Sequence, residues 1–120
     1  MSSRFRFEDL QIWQIGAELS VALFKLADEL EEKKLFRFAE QLRGAVLSIT
    51  NNIAEGSGST SDKEFQQFLN FSRRSIFETA NILFMMVRAG VLKEEEIQGF
   101  INRLEEQSRK VLSFSRSLNT

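Results

Sequence analysis

The 120 residues include no cysteine, histidine, proline or tyrosine. Without cysteine there are no disulfides, thiolate metal sites or thiol catalysis, a usage that fits a cytoplasmic protein. Without histidine, the side chain that most often moves protons near neutral pH is missing. This excludes His-dependent triads and the Glu-x-x-His pairs of a ferritin-like di-iron bundle. The remaining proton-transfer candidates are carboxylates and lysines, most of them set among solvating charges. The expectation is therefore no enzyme, no metal, no cofactor and no small-molecule substrate. The lack of proline removes the strongest helix breaker. No apolar run approaches the roughly 20 residues that span a bilayer. The opening Met-Ser-Ser-Arg-Phe-Arg does not resemble a signal peptide, so no membrane association is expected.

What is present points to one ordered helical domain over residues 1–120. Apolar residues make up 42% and charged residues 28% of the chain, a balance that supports a core rather than disorder. Apolar positions recur with the 3.6-residue period of helices, placing four of them at about 8–30, 35–55, 62–89 and 93–118. Glu8 and Asp9 suit the positive end of the first helix, and Glu94, Glu95 and Glu96 that of the fourth. Ser61 or Asp62 can cap the third, with Glu64 as capping-box partner. Gly56-Ser57-Gly58 is expected to stop the second helix with a glycine at positive φ, and Gly90 to stop the third.

Two patterns suggest assembly. In the second helix, Leu35, Ala39, Leu42, Val46, Ile49 and Ile53 form an apolar stripe. Beside it Gln41, Ala45, Ser48, Asn52 and Glu55 form a small polar one, suited to close approach by another backbone. The first helix carries two apolar seams. One runs through Ile12, Gly16, Leu19, Leu23, Leu26 and Leu30, the other through Leu10, Trp13, Ala17, Phe24 and Ala27. That is more than one bundle neighbour covers, so a second copy of the chain is the expected partner, unless the helix lies centrally and its own neighbours cover both seams. Twelve phenylalanines are expected to supply much of the core.

The combination Phe7-Glu8-Asp9-Leu10, Trp13-Gln14, Gln41-Leu42-Arg43, Ser48-Ile49, Asn52-Ile53-Ala54-Glu55-Gly56, Phe68-Leu69 and Ser72-Arg73, with Ser75 and Glu78, resembles a four-helix-bundle protein family. That family includes bacterial proteins encoded within intervening sequences of large-subunit ribosomal RNA genes, sometimes labelled ribosomal proteins. The resemblance covers nearly the whole chain, and Asn52 to Gly56 is its most specific block. It implies an all-α, antiparallel up-and-down four-helix bundle assembling as a ring-shaped homopentamer. It also implies kinship with the accessory protein of diversity-generating retroelements, which partners a reverse transcriptase and binds nucleic acid. On this basis Trp13, Arg43, Ser48, Asn52, Glu55, Gly56, Arg73 and Glu78 are family-motif and interface candidates. The chain departs from the family pattern at Thr50, often proline there, at Gly44, usually arginine or alanine, and at Arg74, which replaces a small residue.

Charge sets the remaining alternatives. Sixteen basic against 17 acidic residues give a net charge of −1, unlike a strongly basic nucleic-acid binder. Arg73, Arg74, Arg88, Arg103, Arg109 and Lys110 are the candidate contacts for structured RNA, with Glu78 expected to pair with Arg74 and Glu105 and Glu106 diluting the fourth helix. Asn52 and Glu55 are expected in capping or helix-to-helix hydrogen bonds more than in ligand contact. The functional expectation is a non-enzymatic oligomeric scaffold that binds RNA or a nucleic-acid-processing partner; the alternative is a protein–protein adaptor without nucleic-acid binding.

Overall fold

The computed structural model describes residues 2–118; Met1, Asn119 and Thr120 lie outside the described residues. A 3-10 turn at Arg6–Asp9 precedes helices α1 (Gln11–Glu32), α2 (Phe36–Ser57), α3 (Asp62–Arg88) and α4 (Glu94–Ser117). Each helix packs on the next, and α4 returns to α1, leaving α1 and α3 on a diagonal. Side-chain contacts give the directions. Gly16 faces Thr50 while Asp28 meets Arg43; Ser48 meets Ser75 while Gly56 meets Phe65; Arg73 meets Ser108 while Gln66 meets Ser115. Neighbouring helices are therefore antiparallel, and α1 and α3 run the same way.

Local chemistry explains the boundaries. The first helix starts three residues later than its periodicity suggests, because the Glu8 carboxylate turns back to accept the backbone N–H groups of Arg4 and Phe5 at 2.9 and 2.8 Å. That closes a separate short turn, and Leu10 is extended (φ −81°, ψ 125°) before α1 begins. The helix ends at Glu32 in a Schellman motif: Leu35 N–H donates to Leu30 C=O and Lys34 N–H to Glu31 C=O, with Lys34 at φ 65°. The end of α3 repeats this motif with Gly90 at φ 77° and Val91 N–H donating to Met86 C=O. The second helix continues two residues past Glu55. Gly56 stays helical and lies so close to α3 that a side chain there would stand 2.7 Å from the Phe68 Cβ, and Gly58 turns at φ −87°, so neither takes a positive φ. Ser61 caps α3 by accepting from the Glu64 N–H at 3.2 Å.

The core is aliphatic. Leu19, Leu23, Leu42, Ile53, Leu69 and Leu83 are fully buried, each contributing about 1.5–3 kcal/mol, while among the phenylalanines only Phe65 is buried. The expectation of a phenylalanine core is thus corrected. Close helix packing leaves interior volume for branched chains beside Ala27, Ala39, Ser72 and Thr79, and rings are pushed to the rim. Gln107 is the largest of the buried polar residues, the others being serines and Thr79. It is wholly buried, donates from Nε2 to the Ile12 carbonyl at 2.7 Å, and fits because Gly16 lacks a Cβ that would stand 3.0 Å away.

The expected surplus of apolar surface on the first helix is also corrected. Both seams find cover within the chain: Ile12, Gly16, Leu19, Leu23, Leu26 and Leu30 are buried, and Trp13 and Phe24 are half-buried against the core, Trp13 with the Phe7 ring at 5.1 Å. Helix one lies between two neighbours that cover both seams.

Candidate functional site

The surplus lies on α3. Phe71, Phe77, Phe84 and Met85 are 46%, 62%, 49% and 49% exposed, whereas Val21 is the sole large apolar side chain exposed on α1. Counting outward along α3, Asn70, Arg74, Phe77, Asn81, Phe84 and Arg88 follow steps of four and three and are all exposed, so they form one straight stripe. The stripe has two aromatic rings, two amides, two cations and no carboxylate. On its α4 side, Ile76, Phe77, Ala80, Phe84, Ile101 and Leu104 line an apolar groove of about 290 Å³. At one end, Asn70, Arg73, Arg74 and Phe77 surround a cleft of about 280 Å³.

Arg73 is the best-held cation of that cleft. It is half-buried, its Nε donates to the Ser108 carbonyl at 3.3 Å, and its guanidinium lies over the Phe77 ring, 5.6 Å from the centroid. Arg74 and Arg88 are exposed and make no ion pair among the described residues. The expected Arg74–Glu78 pair does not form; Glu78 instead borders a polar crevice of about 550 Å³ with Arg37, Glu40 and Gln41. The three other expected RNA contacts do not gather with these. Arg103 is exposed on α4, and Arg109 and Lys110 are paired with Glu105 and Glu106 at 3.2 and 3.4 Å.

The small polar stripe of α2 serves the chain itself. Ser48 Oγ lies 2.7 Å from Ser75 Oγ, Asn52 Nδ2 donates to the Ser48 carbonyl at 2.8 Å and to its hydroxyl at 3.0 Å, and Ala45 is buried. The backbone that approaches closely is α3, while Gln41, Ala45 and Ser48 also border the crevice with Glu78. Glu55 is exposed at its end. Arg43 donates to Asp28 and Glu31 at 2.7 Å each; these hydrogen bonds, that of Asp28 first, raise the pKa of its guanidinium and tie α2 to α1. Trp13 and Gly56 are likewise packing positions.

Of the α3 stripe, the sequence singles out Arg74 and Arg88 but not Phe77 and Phe84, which it counts toward the core. The signal was present in the same steps of three and four, shifted to positions outside the core seam.

Residues 8–113 match the family described as 23S rRNA-intervening sequence protein. The chain belongs to that family. A solved structure from Bacteroides thetaiotaomicron VPI-5482, described as a protein with unknown function from the S23 ribosomal protein family, is 24% identical. It superposes with a TM-score of 0.82 over 91% of this chain and 99% of that one, which establishes a shared four-helix fold. No curated protein matches. Among the described residues, no helix is long and apolar enough to cross a membrane.

Proposed function

We propose that the protein is a non-enzymatic, cytoplasmic scaffold that works as a homo-oligomer, the pentamer being the count that the family resemblance implies. The observation that carries this reading is the outward face of α3, where Phe77 and Phe84 stand about half or more exposed in one straight stripe. Large apolar side chains aligned on one face of a small protein mark a surface that another protein covers. Sedimentation velocity of the purified protein at micromolar concentration tests it: a single species at a multiple of the chain mass supports the scaffold, and a stable species at the mass of one chain overturns it.

A second reading, contact with structured RNA or with a reverse-transcriptase-like partner, is favoured by the cleft of Asn70, Arg73, Arg74 and Phe77. Cations for phosphate and an exposed ring for base stacking are the chemistry nucleic acid uses. Retention of labelled structured RNA, weakening steeply with salt and lost in Arg73→Ala/Arg74→Ala, supports it. No retention at low salt leaves the adaptor role.

A further inference from the structure

Resting on the homo-oligomer reading, we infer that the α3 stripe of one subunit packs in parallel against the α1 outward stripe of the next, at equal height. The outward stripe of α1 is Gln14, Glu18, Val21, Lys25, Asp28 and Glu32, all exposed and spaced by the same steps of four and three as the stripe on α3. Because α1 and α3 sit on the diagonal of the bundle, the two stripes face opposite ways. A contact between them is head-to-tail, the kind that generates rings rather than twofold dimers.

The heights follow from contacts inside the bundle. Gly16 stands level with Thr50 and Gln107, Ser72 donates to the Ile49 carbonyl at 2.8 Å, and Arg73 reaches the Ser108 carbonyl. Gly16 therefore stands level with the α3 turn of residues 71–74, and Ser72 within that turn sets the register. Both helices run the same way with the same rise, so each α1 residue is level with the α3 residue as far along as Ser72 is from Gly16. In a closed ring whose axis follows the bundle, neighbours are related by rotation without translation, and equal heights meet.

Under that register Glu18 faces Arg74, Val21 faces Phe77, Lys25 faces Asn81, Asp28 faces Phe84 and Glu32 faces Arg88. Two opposite-charge pairs bracket the apolar contact of Val21 with Phe77, and no level sets like charges against each other. Asp28, already held by Arg43, meets a ring rather than a second cation. The alternatives fare worse. An α3-on-α3 contact gathers four arginines into one seam without a carboxylate. An α1-on-α1 contact gathers six carboxylates with two lysines. Charge of this kind sets orientation and partner choice, while the buried rings supply most of the affinity.

The chain has no cysteine of its own, which makes the test direct. Lys25→Cys and Asn81→Cys, which face each other in this register and leave Val21 and Phe77 in place, are made singly and together, and treated with a short bismaleimide beside wild-type protein whose mass is measured by sedimentation. Both positions are exposed, so folding is checked by circular dichroism against wild type. The expected result is a covalent ladder from the double variant and none from either single variant. In parallel, Glu18→Arg or Arg74→Glu alone weakens subunit affinity by roughly three- to tenfold at low salt, and the two together restore it. Covalent dimers from Asn81→Cys alone, or an assembled double variant that gives no ladder, overturn the pairing but leave the oligomer standing. A wild-type protein at the mass of one chain overturns both. Loss of RNA retention in Arg74→Glu, with no ladder from the double variant, assigns the stripe to nucleic acid and overturns the pairing.

Discussion

Helices α1 and α3 hold diagonal corners of one bundle, yet they treat their large side chains in opposite ways. In α1 nearly every large apolar group turns inward or lies against Phe7 and the core, leaving Val21 outside among Glu18, Lys25 and Asp28. In α3 the interior stripe of Phe65, Leu69, Ile76 and Leu83 is matched by an outer stripe that includes Phe77 and Phe84. The same residue type thus does two jobs on one helix. Phe65 is held by burial and by the Phe114 ring at 5.6 Å, whereas Phe77 is held by little besides Arg73.

That contrast can be broken most sharply at the two phenylalanines. Phe65→Ala empties a buried site, and urea denaturation should show a loss of about 3–5 kcal/mol. Phe77→Ala should leave the stability of the isolated protomer within about 0.5 kcal/mol, because the side chain is exposed, while its self-association weakens.

Two helical glycines sharpen the same point at smaller scale. Gly56→Ala brings a Cβ to 2.7 Å from the Phe68 Cβ and 2.8 Å from the Phe65 ring, so α2 and α3 must move apart at a cost of about 1–3 kcal/mol. Gly44 has open space around it and sits mid-helix, so Gly44→Ala should add about 0.5–1 kcal/mol in the protomer. Thermal unfolding distinguishes the signs. Equal losses at both positions would mean that the outer face of α2 is as crowded as its inner one.

The smallest effects are at the two Schellman ends. Lys34→Gly relieves a left-handed backbone carried by a residue with a Cβ and should stabilise by about 0.5–1 kcal/mol; Gly90→Ala imposes that strain and should destabilise by about 1 kcal/mol. Opposite shifts in the unfolding midpoint are the check.

Periodicity was enough to read the helices, because steps of three and four register burial directly; the ends of α3 and α4 fall within a residue of the expected positions. The start of α1 was not legible, since it depends on the Glu8 carboxylate folding back, a choice between two satisfied arrangements that composition does not decide. The surplus on α1 was misread for a different reason. Two seams on one helix look unpartnered until the angle between its neighbours is known, and here α2 and α4, with Phe7, cover both. The small stripe of α2 misled likewise: short side chains signal close approach but not whose backbone approaches. The outward stripe of α3 was written in the same spacing, yet its mixture of Phe, Asn and Arg has no apolar continuity to draw attention. Its exposure depends on which face the core claims.

Assembly of the kind proposed requires that the rings of α3 be covered by another copy. The direct measurement is the mass in solution, by light scattering at micromolar concentration, of the wild-type protein and of Phe77→Ala/Phe84→Ala. The expected result is a multiple of the chain mass for the first and the mass of one chain for the second, with unchanged helical circular dichroism. Wild type at the mass of one chain, or a variant that stays assembled, would contradict it.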